Sequence, residues 1–245
     1  MLVPLQNKCV RPLSVFYRAL HSHYLITNEN NGTREITLNH EKTKNSLSLD
    51  MMKYLIEAIN ANKDDKSLRA IVLSAKGNVF SAGHNLKELV NGFATAAGCQ
   101  LVATCDMIVC SDTSKFSTPG ANFGIFCSTP GIAVGRCVPK SRATYMLFTG
   151  EPLTAQEAYE SGLVTKVVPA SELDNEVNKI IEKIKHKSRS VIALGKEFYY
   201  KQIDLSLMEA YKLGEDIMVK NINSADGQEG IRSFVEKRKA IWSHE

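Results

Sequence analysis

Two short loops rich in small residues decide the interpretation of this sequence of 245 residues. The first reads Phe80-Ser81-Ala82-Gly83-His84-Asn85-Leu86-Lys87, and the second reads Asn91-Gly92-Phe93-Ala94-Thr95-Ala96-Ala97-Gly98-Cys99-Gln100. Small side chains where a strand leads into a helix let main-chain N–H groups approach a ligand. Two such loops that face each other can direct two N–H groups at one oxygen, which is an oxyanion hole. Close packing of a helix on a sheet is the alternative explanation.

The segments before these loops alternate between strand-like and helix-like patterns. Alternating polarity predicts a strand over residues 34–38. Ser48 is predicted to cap a helix with an apolar stripe of Met51 or Met52, Leu55 and Ile59. A continuous apolar run over residues 70–73 is typical of a strand that is covered on both faces.

The segments after the loops continue the alternation. Residues 94–103 are predicted to be helical, and residues 107–110 to form a short buried strand. Residues 154–157 have the pattern of a capping box, and Gly162 is predicted to end that helix. Residues 164–168 are predicted to form the next strand, which Pro169 ends.

The sequence after Ser171 is predicted to be helical, with breaks near Ser188 and Gly227. The predicted apolar faces are Leu173, Val177, Ile180, Ile181 and Ile184, then Leu207, Tyr211, Ile217 and Met218, and finally Ile231, Phe234, Val235 and Ile241. The predicted fold is therefore an α/β core followed by a helical C-terminal region.

Composition excludes several classes of protein. Hydrophobic residues make up 44% and charged residues 23%, close to the average for soluble globular proteins, which excludes wholesale disorder. No apolar run is long enough to span a membrane, and a net charge of +4 does not indicate a nucleic-acid binder. The simplest motifs for dinucleotides, ATP, serine esterases and metalloproteases are missing, so no metal or cofactor is predicted.

The amino terminus has the composition of a mitochondrial transit peptide. Residues 1–25 are basic, contain hydroxyl side chains and are weakly amphipathic, and the first acidic residue is Glu29. A leader with no targeting role is the alternative. The predicted organisation is a transit peptide over residues 1–25, an α/β core over 26–169 and a helical region over 170–245, with localisation in the mitochondrial matrix.

Many further motifs, in order, resemble the enoyl-CoA hydratase/isomerase (crotonase) family. The resemblance covers nearly everything after residue 33. The matching runs begin with Asn45-Ser46-Leu47-Ser48, Phe80-Ser81-Ala82-Gly83, Val90-Asn91-Gly92 and Cys105-Asp106. They continue with Phe148-Thr149-Gly150-Glu151, Ala155-Gln156-Glu157-Ala158, Gly162-Leu163-Val164, Glu229-Gly230 and Lys237-Arg238.

The resemblance implies a fold and a ligand. The fold is a crotonase-like spiral of ββα units, assembled as homotrimers or paired trimers, and the ligand is an acyl-CoA thioester. By position, the main-chain N–H groups of His84 and Ala97 would be the oxyanion donors, and Gly98 would lie beside the thioester. The run His84-Asn85-Leu86-Lys87 would border the nucleotide part of CoA. Lys44, Phe234 and Lys237 match CoA-binding positions, although a solvated surface charge is an equal alternative for both lysines.

Two residues depart from the family's hydratases, which hold and activate water with two glutamates. Gln100 occupies the first of these positions and Gly120 the second. Gln100 cannot accept a proton near neutral pH and Gly120 has no side chain, so little hydration is expected. Asp106 and Asp112 are interpreted as capping or turn residues. A side-chain role for His84 as a base is a weaker alternative to its main-chain role.

An apparent internal deletion is the second departure from the family. Glu88-Leu89 runs directly into Val90-Asn91-Gly92, where the resemblance implies a helix and a strand. Because a parallel crossover needs about a dozen residues or more, this stretch is too short to hold one. The sequence therefore predicts that His84 and Ala97 are out of standard register and that apolar surface is exposed.

Three hypotheses follow. The chain is an acyl-CoA-binding protein of mitochondrial lipid metabolism without hydratase activity, an oxyanion-hole enzyme that isomerises, decarboxylates or hydrolyses acyl-CoA thioesters, or a non-functional shortened isoform. No cofactor is expected beyond the coenzyme A of the ligand itself.

Overall fold

A computed structural model describes residues 23–83 and 94–245 of the chain. Its strands are β1 (Leu25–Asn30), β2 (Thr33–Leu38), β3 (Ala70–Ala75), β4 (Ala94–Thr95), β5 (Val109–Ser111), β6 (Lys115–Ser117), β7 (Leu153–Thr154) and β8 (Lys166–Val168). Its helices are α1 (Leu49–Asn60), α2 (Ala97–Ala103), α3 (Ser128–Cys137), α4 (Lys140–Thr149), α5 (Ala155–Glu160), α6 (Leu173–Lys185), α7 (Arg189–Gln202), α8 (Leu207–Ile222) and α9 (Ala225–Val235). This order confirms the predicted α/β core followed by a helical region.

Three predictions concern residues outside this description. They are nearly all of the transit peptide, the run His84-Asn85-Leu86-Lys87, and the junction between Leu89 and Val90. Within the described part of the chain, no helix is both long enough and apolar enough to cross a membrane.

The described residues form two compact units. The first contains the described residues up to Asn30, Arg34–Lys63 and those within Ile71–Glu176. The second contains Asn31–Thr33, Asp64–Ala70 and Val177–Glu245. The second unit thus combines the helical end of the chain with two short pieces of its first third.

Three small sheets build the first unit. Their strand orders are β1-β2-β3, β4-β6-β7 and β5-β8. Strand β4 runs parallel to β6, with Thr95 opposite Ser117, and an isolated bridge joins Ala94 to Ser81. The parallel pair connects segments that are distant in sequence, and the bridge brings the two small-residue loops together.

Two clusters of buried apolar side chains stabilise the first unit, and α2 contributes to both. Cys99 lies in a cluster with Phe116 and Met146, whereas Ala97 lies in a second cluster with Ile36 and Met51. Helix α2 is therefore held from two sides, which fixes the position of its first turn.

Local capping signals are confirmed. The Ser48 hydroxyl accepts a hydrogen bond from the Met51 N–H at 3.1 Å, at the start of α1. Thr154 and Glu157 form the reciprocal bonds of a capping box at α5, and Gly162 follows that helix with φ 84°. Such side chains replace the partners that the first N–H groups of a helix lack.

The first strand was not predicted, although the sequence contains a signal for it. β1 and β2 are joined by Asn31 and Gly32, whose φ values are 45° and 75°. Two consecutive positive φ angles are required by the type I′ hairpin turn, for which Asn-Gly is the preferred pair. The hairpin could therefore have been predicted from these two residues.

The predicted burial of α1 and β3 is wrong in part. On α1 the buried residues are Met51, Leu55 and Ala58, while Ile59 is exposed. No residue of β3 is buried, and Ile71 is 40% exposed, so this strand is not covered on both faces. The reason is that β3 lies at the edge of its sheet, where it lacks a neighbouring strand on one side.

Three predicted boundaries also differ. Residues 94–103 are not one helix, because Ala94 and Thr95 pair as a strand before α2 begins. The strand predicted over residues 107–110 starts at Val109, with Met107 exposed, and the strand predicted over 164–168 starts at Lys166.

In the second unit the structure has a helix break close to each of the two predicted positions. Ser188 caps α7 through the N–H of Val191, as the break there requires. The break predicted near Gly227 falls at Asn223 and Ser224, and Gly227 itself lies in the first turn of α9, where a Cβ atom would fall 2.0 Å from the Asn221 carbonyl oxygen. The break between α7 and α8 was missed.

The apolar faces predicted for the last helices are not buried within the chain. α7 and α8 have no buried residues, and the buried residues of α9 are Asp226 and Ser233. Phe234 is 84% exposed, and Ile241 lies beyond the end of α9. Polar contacts, rather than an apolar core, therefore hold this region together.

Candidate functional site

The two small-residue loops lie side by side in the first unit. The Thr95 N–H donates to the Ser81 carbonyl oxygen at 3.1 Å, and the Gly83 N–H donates to the Ser81 hydroxyl at 3.2 Å. The Ala96 N–H donates to the Ser117 carbonyl at 2.9 Å, which adds a third segment to the same place. The structure therefore brings together the ends of three strand segments, at residues 81–83, 94–98 and 117–120.

Two glycines make this close approach possible. A Cβ atom on Gly98 would lie 2.5 Å from the Ser81 carbonyl oxygen. Gly83 has φ +86°, and a Cβ atom there would lie 2.8 Å from the Thr95 oxygen and 3.3 Å from the Ala97 nitrogen. Any side chain at these positions would push α2 away from the first loop, so both glycines are required for close packing.

Ala96 has a strained backbone immediately before the predicted donor. Its φ and ψ are 49° and −112°, a region that residues other than glycine rarely adopt. Its carbonyl accepts a hydrogen bond from the Gln100 N–H at 2.9 Å. The strained residue therefore lies immediately before the first residue of α2. The turn places the Ala97 N–H in the first turn of the helix, where N–H groups lack partners within the helix.

Several predicted site residues are brought together here. The main chain of Lys44 is part of the arrangement, since its carbonyl accepts from the Ala82 N–H at 3.0 Å, and Ala97 and Gly98 lie against residues 81–83. His84, the other predicted donor, follows Gly83 but is outside the described residues. The predicted loss of register between His84 and Ala97 therefore stays a prediction.

The position of Gly120 is closed to any side chain. A Cβ atom there would fall 2.1 Å from the Ile125 carbonyl oxygen and 2.8 Å from the Cys127 sulfur. The Gly120 carbonyl accepts from the Ile125 N–H at 3.0 Å, and its N–H donates to the Cys127 sulfur at 3.3 Å. A tight turn thus occupies the space that a carboxylate at this position would need.

The three site segments contain no charged residue. Residues 81–83, 94–100 and 117–127 include no Asp, Glu, His, Lys or Arg. Cys99 is fully buried, and burial, with smaller effects of Cys127 and Cys137, raises its pKa to about 12. Its thiol therefore stays protonated near neutral pH and supplies neither a base nor a thiolate.

Two buried hydroxyls at this site were not predicted from the sequence. The Oγ1 atoms of Thr95 and Thr118 have no hydrogen-bond partner among the described residues, and both side chains are buried. Thr95 precedes the strained Ala96, and Thr118 follows Ser117, which bonds to Ala96. An unpaired buried hydroxyl is unfavourable by about 1–3 kcal/mol, and only tertiary packing reveals one.

The remaining predicted residues belong to the second unit. Phe234 is in the last turn of α9, and Lys237 follows it with φ 52° and a main-chain bond to the Phe234 carbonyl at 3.3 Å. In the described part of the chain, no group of three or more His, Cys, Asp or Glu residues could hold a metal ion.

Comparison with known proteins identifies close relatives of this chain. It is 47% identical to enoyl-CoA hydratase domain-containing protein 3, mitochondrial, of Xenopus laevis, over 91% of this chain and 87% of the relative. The same-named human protein is 47% identical, over 87% of this chain and 82% of the relative. These names agree with the mitochondrial localisation predicted from the amino-terminal composition.

Solved structures match the fold. A crystal structure of human enoyl-CoA hydratase domain-containing protein 3 has a TM-score of 0.86 and 45% identity, covering 90% of this chain and 100% of that one. An enoyl-CoA hydratase from Mycobacterium smegmatis has a TM-score of 0.85 and 36% identity, covering 89% and 98%.

The alignments also contain positions that this chain lacks. The Xenopus alignment extends over 257 residues, although this chain has 245 and aligns over only 91% of them. A family model described as enoyl-CoA hydratase/isomerase matches two stretches, residues 28–91 and 88–245, which meet at the predicted deletion. Together the two stretches cover most of the sequence, and the chain therefore belongs to the enoyl-CoA hydratase/isomerase family.

Proposed function

We propose that this chain binds acyl-CoA thioesters through main-chain N–H groups and does not add water to them. The observation that carries the proposal is the composition of the three site segments, which offer N–H groups and hydroxyls but no acid or base. A thioester carbonyl needs only hydrogen-bond donors to be held and polarised. Addition of water also requires proton transfer, for which these segments have no group.

The proposed ligand contacts follow from the resemblance and from the geometry. Ala97 and His84 would donate to the thioester oxygen, Gly98 would lie beside it, and Asn85, Leu86 and Lys87 would border the CoA nucleotide. Lys44 would contact the CoA phosphates or adenine, as would Phe234 and Lys237 of a neighbouring subunit. Coenzyme A enters only as part of this ligand, and no other cofactor is proposed. The role is in mitochondrial fatty-acid or lipid metabolism, in keeping with the names of the relatives.

Assembly into a homotrimer or a homohexamer is part of the proposal. It is supported by the helices of the second unit, because α7 and α8 bury no side chain and leave large apolar residues exposed. Soluble monomers rarely expose so much apolar surface, which usually marks a protein interface. The exposed side chains include Tyr199, Leu207, Met208, Tyr211, Phe234 and Val235.

Calorimetry with octanoyl-CoA tests binding. We expect saturable heat with the full chain, and at least about tenfold weaker binding with Gly98→Ala, since its Cβ atom would displace α2 from Ser81. Gly135→Ala is the matched control, because a Cβ atom on Gly135 meets nothing within 4 Å. Absence of heat at high micromolar ligand, or equal binding by Gly98→Ala, would contradict the proposal.

An oxyanion-hole enzyme is the second candidate, supported by the same donors. Groups that hold a thioester oxygen also stabilise the enolate that isomerisation or decarboxylation would form, and the oxyanion formed in hydrolysis. Turnover assays with enoyl-, dienoyl- and malonyl-type thioesters distinguish it from a binding protein.

A non-functional shortened chain is the third candidate, and two observations support it. The family model matches in two stretches that meet at residues 88–91, and the apolar strand β3 lies unburied at a sheet edge. A missing strand would leave such an edge uncovered.

Restoring the missing segment tests this third candidate. We expect insertion of the corresponding Xenopus segment between Leu89 and Val90 to raise the melting temperature by about 5 °C or more, because covering β3 would contribute roughly 2 kcal/mol. A scrambled insert of equal length is the control, measured by differential scanning calorimetry. Equal melting temperatures and equal acyl-CoA binding with and without the segment would refute the shortened-chain hypothesis.

A further inference from the structure

A small pocket in the second unit plays no part in the proposed function. It has a volume of about 260 Å³ and lies between the end of α6 and the residues that follow α9. Its lining residues are Lys185, His186, Lys239, Ala240, Trp242 and His244. Neither Phe234 nor Lys237 is among them, so it is separate from the positions proposed to contact CoA.

Hydrogen bonds hold the lining in place. The Trp242 indole N–H donates to the His186 carbonyl oxygen at 2.9 Å, and the Arg189 N–H donates to His244 Nδ1 at 3.2 Å. Between them, the Ser243 N–H donates to the buried Asp226 carboxylate at 2.7 Å. The pocket is therefore a fixed feature of the docked C-terminal segment rather than a gap beside a loose end.

The lining is rich in cationic groups and contains no carboxylate. Lys185 pairs with Glu182 at 2.9 Å, outside the lining, while Lys239 has no ion-pair partner among the described residues. Two lysines and two imidazoles thus line the cavity, while the carboxylates of Asp226 and Glu229, which accept main-chain N–H groups of residues 241, 243 and 244, lie outside the lining. Such a site attracts anions.

Further positive charge lies just behind the pocket. Arg69 Nη1 is 3.5 Å from His244 Nε2, and burial together with the nearby charge of Arg189 lowers the pKa of Arg69. Both guanidinium groups donate to main-chain carbonyls, Arg69 to that of Lys187 and Arg189 to that of Leu68.

The size and lining select the kind of anion. A volume of about 260 Å³ is just below the usual range for drug-sized ligands but well above that of one water molecule. Lysine ammonium groups and the His186 imidazole suit phosphate oxygens, and the indole ring of Trp242 offers an apolar surface beside them. We propose that this pocket binds a phosphate group, either as the free ion or as a small phosphate monoester.

Trp242 makes the proposal testable without a functional assay, because it is the only tryptophan in the chain. The full chain is titrated with inorganic phosphate and, separately, with phenyl phosphate, while tryptophan fluorescence is recorded. Sodium chloride at matched ionic strength is the reference. We expect a saturable change with phosphate and none with chloride. Tighter binding of phenyl phosphate than of inorganic phosphate would assign the site to phosphate monoesters. Equal binding of the two would assign it to the free ion.

Charge variants separate a specific site from general screening. Lys239→Gln should weaken phosphate binding about tenfold or more, and Lys239→Arg should largely retain it. Lys212→Gln is the matched control, since Lys212 is exposed on α8 and does not line the pocket. The proposal is overturned if phosphate and chloride give the same response, or if Lys239→Gln binds phosphate as well as Lys212→Gln does.

Discussion

Replacing Gln100 by Glu should not give this chain hydratase activity, and crotonyl-CoA should be hydrated no faster by the variant than by the unsubstituted chain. Each general acid or base contributes roughly 10²–10⁴-fold to a rate, and the family's hydratases use two. Gln100→Glu supplies one carboxylate, but residues 81–83, 94–100 and 117–127 still offer no second acid or base, and His84 is proposed to act through its main-chain N–H. The measurement is the rate of 3-hydroxy product formation, followed by chromatography of the thioesters.

The second carboxylate cannot be restored at Gly120. A side chain there would begin 2.1 Å from the Ile125 carbonyl oxygen, within a turn that the Ile125 N–H and the Cys127 sulfur hold closed. Gly120→Glu should therefore lower the free energy of unfolding by about 3 kcal/mol or more, because main-chain atoms must move to accommodate it. Combining it with Gln100→Glu should yield an unstable protein rather than a hydratase.

Gly135→Glu is the control for these variants. It adds the same side chain to a glycine of α3 that has open space around it, so stability should change little. Brisk formation of the 3-hydroxy product by the unsubstituted chain would contradict the proposed function directly. A stable and active Gln100→Glu, Gly120→Glu double variant would show instead that the turn at Gly120 can open.

The loss of acid–base groups could be predicted from the sequence, but the closure of the site could not. The identities of Gln100 and Gly120 are enough to exclude two glutamates. That Ile125 and Cys127 fill the space above Gly120 depends on the fold of the turn, and the unpaired hydroxyls of Thr95 and Thr118 depend on packing between strands.

For secondary structure too, features with local causes could be predicted from the sequence, whereas features that depend on distant segments could not. The caps at Ser48 and Thr154 were predicted because side chain and N–H are three residues apart in the chain. The strand at Ala94 was predicted as helix, because alanine favours helix and the competing bonds to Ser81 and Phe116 come from elsewhere in the sequence. Pairing of distant segments overrides local propensity.

Burial of β3 was overestimated from its hydrophobic run. Such a run indicates that a strand is stabilised when both faces are covered, but it does not show that neighbouring elements cover them. Ile71 belongs to such a run but is 40% exposed at the end of the sheet. The same reasoning applies to α8, whose apolar residues follow a helical pattern yet none is buried within the chain. In both places the sequence indicates a covered surface that the described residues do not provide.

Asp226→Asn should destabilise the second unit more than any surface substitution. The carboxylate is 1% exposed and accepts five hydrogen bonds, from the Ser188 and Ser190 hydroxyls, the Ser243 N–H and hydroxyl, and the His244 N–H. An asparagine keeps one acceptor oxygen, but its NH2 group replaces the other oxygen. That NH2 group would then face N–H and O–H groups that are also hydrogen-bond donors. We expect the free energy of unfolding to fall by about 3 kcal/mol, measured by urea denaturation.

The effect should be large because Asp226 holds two consecutive residues of the C-terminal segment, Ser243 and His244. The remaining contacts of this segment include the bonds from Trp242 to His186, from Ile241 to Glu229 and from Arg189 to His244, none of which replaces the lost carboxylate. Releasing the segment would expose Trp242 to water, which shifts tryptophan emission to longer wavelength. Asp216→Asn, an equal change of charge at an exposed position of α8, should leave both stability and emission unchanged.

Low pH should also destabilise the unsubstituted chain, for the same reason as Asp226→Asn. Burial raises the pKa of Asp226, but the hydrogen bonds from Ser188, Ser243 and His244 outweigh it and lower the pKa to about 2. An aspartate in the unfolded chain has a pKa of about 3.9. The carboxylate's contribution to stability is therefore complete above roughly pH 5 and is lost as the pH falls towards 2. The stability difference between the unsubstituted chain and Asp226→Asn should therefore shrink across that range. A difference that is constant from pH 6 to pH 2.5 would mean that the carboxylate charge does not hold the C-terminal segment.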